Sequence, residues 1–390
     1  MTQPRTVTLV AGQLRRLFYR AGFYLDVPGL IQLLKFRQLR ARFYADLWHQ
    51  AAVNIGAVCR GWDAGFMRIE RDGLTTIVHQ STVMLDDQLT LDIMGNKALV
   101  YQLMSEKGYA VPDHLVFSVA EFDLCRDFFL SQVRPVVLKP AGGTGGGRGV
   151  TTGIRTLKAL KKAFHLAARF DSRLIVEEQL EGHSYRLLYI DGRFVDAVRR
   201  DAPLIVGDGT HTIRQLVAME NVRRLAGDPV TALSPLKIDR DCHNRLKELG
   251  LRPRDWLEPG QVIDLKKAIN ENAREQNHRV CDEVHPDTVR AGAALVRDLG
   301  VAFAGLDVIC KDISKPLSAG NGLISEINTT PGIHHHYLVS GPAAERPIAD
   351  QVLEHIFQSR TGTMALAPAL QDPQEPADRH DRSFLRRVGT

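Results

Sequence analysis

Lys139-Pro140-Ala141-Gly142-Gly143-Thr144-Gly145-Gly146-Gly147-Arg148-Gly149-Val150 is the stretch on which the fold turns, and six of the eight residues from Gly142 to Gly149 are glycine. Glycine lets a backbone fold closely around phosphate oxygens and aim its N–H groups at them, and so dense a run would be costly in a mere linker. Before it, Val136 to Leu138 reads as a short strand bounded by Pro135 and Pro140. Lys139 ends that strand, where its ammonium can meet a phosphate as a compact charge. Two better-known phosphate loops are excluded. No G-K-[ST] closes the run and the lysine precedes it, so this is not a P-loop. No acidic residue ends a strand about twenty residues on, which removes the dinucleotide fingerprint.

Downstream, Phe303 to Ile309 and Leu323 to Asn328 read as strands joined by a polar loop with Pro316 and Gly320. Strand side chains alternate, so Glu326 and Asn328 share one face and Ser325 and Ile327 the other. If the strand of Asp307 pairs antiparallel with this one, Asp307, Glu326 and Asn328 bring three oxygen ligands together. That set suits Mg²⁺ carrying a nucleotide's phosphates, with Mn²⁺ as the alternative ion. A solvated strand face would give the same pattern. The Thr329-Thr330-Pro331-Gly332 turn, which ends the strand sharply, favours the ligand reading.

Around these motifs the chain is ordinary. It has 390 residues, 44% hydrophobic and 24% charged, with a mean hydropathy of −0.15. Such values describe a globular protein of two to three domains, not a disordered one. The net charge of +5 suits an anionic small ligand and falls short of a nucleic-acid footprint. Five scattered cysteines without a C-x-x-C pair argue against a disulfide framework or a cysteine zinc site, and point to a reducing compartment. No apolar run is long enough to span a bilayer, and Arg15, Arg16 and Arg20 break the N-terminal apolar stretch that a cleavable signal would need. The expectation is a cytoplasmic protein with neither nucleic acid nor membrane as partner.

Residues 1–90 read as a helical and α/β region. Phe36, Leu39, Phe43 and Leu47 recur at helical spacing with Lys35, Arg37, Arg40 and Arg42 among them. A helix packed on its own domain with a solvated basic face is favoured over one lying on a membrane surface. Short strand-like pieces, Thr75 to His79 among them, run on to about Leu91. Asn96 to about Lys107 reads as a helix closed by Gly108. Leu174 to Val176 reads as a strand, and Asp191-Gly192 joins Tyr185 to Ile190 and Phe194 to Val198 as a hairpin. Hairpins mixed with helices point to α+β architecture. From about 361 to 390 the composition suggests a disordered tail.

Together these parts resemble the ATP-grasp superfamily, and within it the ATP-grasp domain of the cyanophycin synthetases. D-alanine–D-alanine ligases and glutathione-forming ligases are more distant likenesses. The resemblance runs from about Asp87 to Pro342. Asn96-Lys97-Ala98 matches a D-K-A segment, which implies that Lys97 contacts the nucleotide. Lys139 with Gly145, Gly146 and Gly147 matches the second lysine and the lid over the phosphates. Val176-Glu177-Glu178-Gln179-Leu180 matches the segment that reads adenine, implicating Glu177, Glu178 and Leu180. Gly182-His183-Ser184-Tyr185-Arg186 matches G-x-x-Y-R, and Val206-Gly207-Asp208-Gly209 begins a V-G-D-G-x-x-T-I signature. Asp307-Val308, Ile313-Ser314-Lys315-Pro316 and Glu326-Ile327-Asn328 complete the metal end.

This sequence departs from the pattern in places. Asn96 stands for the usual aspartate. Ser184 replaces an acidic residue that holds the ribose. Lys266-Lys267-Ala268-Ile269-Asn270 follows an R-R-T-A-N segment, and the stretch Asn272-Ala273-Arg274-Glu275 after it is bulkier than usual. No G-T-N-G-K-T stretch is present in this sequence, so a second, Mur-ligase-like ATP site is not expected in it.

The resemblance implies an ATP-grasp fold: two α+β subdomains gripping ATP between antiparallel sheets, with the domain over 91–360, the nucleotide lid about 136–200 and the catalytic part about 201–360. It implies an ATP- and Mg-dependent carboxylate–amine ligase working through an acyl phosphate on small carboxylate and amine substrates, a peptide included. Arg186, Lys266 and Asn270 are its candidate catalytic residues. An ATP-grasp phosphotransferase, or an ATP-binding regulatory module without catalysis, is the alternative. His334-His335-His336 is better suited to touching a carboxylate than to holding a metal. Arg199 and Arg200 read as charges ending a hairpin strand. Oligomeric state is open, a homo-oligomer included.

Overall fold

The helical spacing near the N-terminus becomes a helix over Val27–Asn54. It buries Phe36, Tyr44, Trp48, Ala51 and Ala52 on one side and leaves Lys35, Arg37 and Arg42 exposed on the other. The computed structural model describes residues 27–142, 148–267, 269, 271–342 and 344–366. After the helix, β1 (Val58–Gly61), β2 (Met67–Arg71) and β3 (Leu74–Val78) form an antiparallel sheet, in which Asp72 and Gly73, both at positive φ, make the β2–β3 turn. The residues that follow are not strand-like as far as Leu91: Gln88–Met94 is a helix capped by the Asp87 carboxylate, which accepts from the Thr90 amide.

The second sheet holds β4 (His114–Ser118), β5 (Val136–Pro140), β6 (Thr151–Ile154) and β7 (Arg173–Glu178) in the order β4-β7-β5-β6. Strand alternation divides it into two faces. Val136, Leu138, Leu174 and Val176 pack beneath the helices Phe122–Ser131 and Leu157–Ala167. Lys139, Ile175 and Glu177 take the other face, where Ile175 meets Ala98 and Ala141.

The third sheet is the largest. It comprises β8 (His183–Ile190), β9 (Arg193–Arg200), β12 (Asn277–Arg279), β13 (Phe303–Cys310) and β14 (Gly322–Thr329) in the order β12-β9-β8-β13-β14. The expected hairpin turn is present, with Asp191 at φ 48° and Gly192 at φ 68°, the left-handed pair that a two-residue turn requires. Tyr185, Leu187, Leu306 and Val308 pack on one face against Met94, Val100 and Met104 and against Leu295 and Val296 of the helix Pro286–Asp298. Leu188, Ile190 and Phe303, on the other face, join Trp48 and the helix Ile348–Ser359 in a single core. The N-terminal region thus shares its core with this sheet. The lid range expected at 136–200 spans parts of two sheets, with β5 to β7 in one and β8 and β9 in the other.

Between β9 and β12 lies a smaller unit, in which β10 (Leu204–Val206) and β11 (Val262–Asp264) pack with the helices Ile213–Ala226 and Arg240–Glu248. The V-G-D-G signature has a local role here. Asp208 accepts from the amides of Thr210, at 2.9 Å, and His211, at 2.8 Å, just ahead of a Thr212–Gln215 capping box. A side chain at Gly207 would collide with the carbonyl of Glu258. At the C-terminal end β15 (Met364–Ala365) pairs with β3, so ordered structure continues past the tail boundary expected at 361.

Candidate active site

The site is built where the polar faces of the second and third sheets and the start of the helix Lys97–Glu106 come together. Asn96 caps that helix, its side chain accepting from the Leu99 amide, so the family's aspartate is replaced by an equally good cap. The Lys97 amide donates to the Ala141 carbonyl at 2.8 Å, and Asn96 bridges Gly142. The helix start is thereby fixed to the first residues of the glycine run. Gly145, Gly146 and Gly147 lie outside the described residues.

On the second sheet Lys139 is buried. Its ammonium donates to Glu177 Oε1 at 2.6 Å and to the Tyr101 hydroxyl at 3.1 Å. Tyr101 completes the triangle by donating to Glu177 Oε2 at 2.9 Å and lies 3.2 Å from the Ser325 carbonyl, which ties this sheet to β14. Burial, and then the Glu177 charge, push the Tyr101 phenol well above its ordinary value, so it stays protonated. Glu178 accepts from Arg134 at 2.6 Å, and Leu180 is half-buried.

On the third sheet β13 pairs antiparallel with β14, as the ligand reading required, with Asp307 opposite Glu326 and Gly305 opposite Asn328. Register shifts at this point: Val308 pairs with Ile324, so Ser325 is the extra residue of a bulge, and its hydroxyl donates to the Asp307 carbonyl at 3.0 Å. The bulge lets Ile324 and Ile327 both reach the core while Glu326 and Asn328 face the site.

Asp307 is held from two sides. Arg186 donates through Nε at 2.7 Å and through its terminal nitrogen at 2.8 Å, a bidentate pair. Arg200 adds a third contact at 3.1 Å and donates to Ser184 Oγ at 3.1 Å. Burial alone would raise the Asp307 pKa, but the two guanidiniums outweigh it and hold the carboxyl below its usual range. Burial, with Arg186 alongside, lowers the Arg200 pKa. Lys97 forms an ion pair with Glu326.

The structure therefore brings Lys97, Lys139, Glu177, Ser184, Arg186, Asp307, Glu326 and Asn328 to one region. Two members were missed in the sequence. Arg200 reads as a strand-end charge, and Tyr101 lies without distinction in the helix expected from Asn96 to about Lys107. Lys266 is placed elsewhere: it is fully buried between Asp239 and Glu271, at 2.7 Å from each, beside the core of the smaller unit. Asn270 lies outside the described residues. The histidine run forms a short helix after the Pro331-Gly332 turn. His336 meets the buried Asp196 carboxylate at 2.7 Å, and His334 meets the Tyr44 hydroxyl at 2.8 Å. Burial, and then neighbouring cations, keep His334 and His335 well below the usual histidine range, so both are neutral.

Asp307, Glu326 and Asn328 supply oxygens alone, the donor set of a hard cation. Among the described residues no three His, Cys, Asp or Glu side chains cluster as a metal site. An ion held here would rest on two carboxylates, one amide and the oxygens of its phosphate ligand. The residues fit that role.

No family model matches the chain. It is 31% identical over 227 residues to cyanophycin synthetase from Crocosphaera subtropica, 57% of this chain and 26% of that protein. It is 28% identical over 316 residues to the glutathione biosynthesis bifunctional protein of Mannheimia succiniciproducens, covering 76% of this chain and 41% of the relative. The bifunctional glutathione synthetase structure from Pasteurella multocida superposes with a TM-score of 0.51 at 22% identity, over 80% of this chain and 43% of that one. The chain thus spans between about a quarter and two-fifths of the length of these relatives. The sequence relatives and the shared architecture agree with the α+β ATP-grasp fold.

Proposed function

We propose that this chain, which has the ATP-grasp fold, is an ATP- and Mg-dependent carboxylate–amine ligase that forms an amide or peptide bond through an acyl phosphate. The observation that carries this reading is the meeting of four cations, Lys97, Lys139, Arg186 and Arg200, with three carboxylates, Glu177, Asp307 and Glu326, between two antiparallel sheets. Bringing a carboxylate nucleophile against a triphosphate sets anion against anion, and such a site is built to offset that repulsion. The relatives' names support the same chemistry.

These charges pair with one another. Lys139 rests on Glu177, Lys97 on Glu326, and both arginines on Asp307. A triphosphate would draw Lys97, Lys139 and Arg186 toward its oxygens and free Asp307 and Glu326. Those two carboxylates and Asn328 would hold Mg²⁺, which when bound supplies charge neutralisation at the phosphates. The substrate carboxylate oxygen then attacks the γ-phosphorus and the bond to the β–γ bridging oxygen breaks, leaving ADP and an acyl phosphate. Attack by the amine at the carbonyl expels inorganic phosphate, and the amine gives up a proton. Arg186, with Arg200 beside it, would stabilise the transferring phosphoryl group.

Amino acids or short peptides are the proposed substrates, and the five free cysteines support a reducing, cytoplasmic setting. No helix among the described residues is long and apolar enough to cross a membrane. The test is to screen amino acids and peptides in pairs for ADP release, with mass analysis of products. A ligase gives ADP, phosphate and a new amide only when both substrates are present. Phosphorylation of a single acceptor would replace this reading with the phosphotransferase.

A further inference from the structure

Resting on the ligase reading and deepening it, we propose that the cleft between the helix Val27–Asn54 and the β2–β3 sheet binds the carboxylate end of an amino-acid or short-peptide substrate, with Arg37 as its anchor. The cleft has a volume of about 320 Å³, within the range of small-molecule sites. Its helix side is one stripe, Leu34, Ala41 and Ala45 with Arg37 and Gln38 between, and the two alanines hollow it out. Met67, His79 and Gln80 form the opposite wall.

Two features mark the cleft as more than a packing gap. Two of its lining residues, Ala64 and Gln80, hold left-handed backbone without being glycine, at φ 54° and 51°. Gln80 takes this backbone inside the bridged His79–Thr82 turn and Ala64 inside the Asp63–Gly65 turn, so two tight turns, held at some cost in free energy, fix the shape of the wall. Gln80 is locked there, its carbonyl accepting from Trp48 Nε1 at 2.7 Å and its side chain from Arg40 Nε at 3.0 Å. The other feature is charge. Among the described residues the Arg37 side chain has neither a hydrogen-bond nor an ion-pair partner, the His79 ring meets only the Phe66 ring, at 4.7 Å, and no acidic side chain lines the cleft. A guanidinium fork left without a partner suits a carboxylate, and the Leu34–Met67 side suits a short aliphatic portion.

The cleft also adjoins the reacting region. Tyr44 lines it and meets His334 at 2.8 Å, just beyond the turn whose Pro331 packs over Gly305 beside Arg186. The free amino acid and the C-terminus of a peptide offer the same anchoring group.

Calorimetry with the full chain, without nucleotide, tests this with L-amino acids and dipeptides as separate arms. An amino acid or dipeptide should bind the wild type. Arg37→Ala should weaken that binding about ten- to a hundredfold, the cost of a lost charge-assisted hydrogen bond. Ala41→Leu should abolish it by filling the groove, and ATP affinity should be unchanged in both. Both positions are exposed, so the variants should fold. Absence of binding by every probe, or equal binding in wild type and both variants, overturns the subsite. Turnover separates the two proposals. Binding that responds to the variants without ADP formation by any pair removes the ligase reading and leaves the subsite. Ligation whose KM is unmoved in the variants does the reverse.

Discussion

Lys139 and Asp307 sit in two buried charge clusters that make opposite demands on mutation. Lys139 is buried and its ammonium donates to both Glu177 and Tyr101, a compact point charge in a closed triangle. Lys139→Ala should lower kcat/KM by about a hundred- to a thousandfold, ~3–4 kcal/mol, as for other lost electrostatic donors. Lys139→Arg should rescue little of it. A loss below about tenfold would remove the lysine from the phosphates. Asp307→Asn would abolish ADP formation but also leave Arg186 and Arg200 buried without a counter-charge, at a cost of about 3–5 kcal/mol. Glu326→Gln is the cleaner probe of metal binding, because the Glu326 side chain is 39% exposed. The Asp307 cluster also has a pH signature. Its carboxyl titrates below the unfolded value, so its contribution is complete above about pH 4 and is lost as the pH falls through the lowered native value. Melting curves between neutral and acid pH should show a smaller acid loss in Asp307→Asn than in the wild type.

Elements differ in how much of them a sequence exposes. The helix start at Asn96, the β13–β14 pairing and the Asp191-Gly192 turn were legible because each rests on a local rule: a cap, an alternation, a left-handed pair. The bulge at Ser325 was not, since alternation alone gives no sign that two residues oppose one. Arg200 was hidden for a related reason. A charged strand end normally lies in water, and only the pairing of β9 with β8, and of β8 with β13, brings it over Asp307. Lys266 shows the converse, a buried basic residue in a motif-like segment whose partners, the exposed Asp239 and the buried Glu271, come from distant or irregular chain. The helix Lys97–Glu106 offers a direct test. Asn96→Ala should cost about 1 kcal/mol in denaturant unfolding through the lost cap. It should also raise the KM for ATP, because the same helix start carries Lys97. Asn96→Asp should leave both unchanged.

Across the whole molecule the third sheet is the base on which the other parts are mounted. One of its faces is closed by the helices Lys97–Glu106 and Pro286–Asp298, and the other by the N-terminal helix together with Ile348–Ser359. Composition and patterning gave the α+β class but not this shared core, which joins residues separated by most of the chain. The consequence is that the N-terminal helix stands as a wall beside the proposed phosphate site, through Tyr44 and His334, instead of as a separate module. All of this serves one chemical claim, that a carboxylate oxygen is phosphorylated before the amide forms. Once the paired screen has identified the substrates, the direct measurement is oxygen transfer from a carboxylate substrate labelled with ¹⁸O. The account predicts one labelled oxygen in the inorganic phosphate for each amide made, in step with ADP. Amide formation with unlabelled phosphate would contradict it.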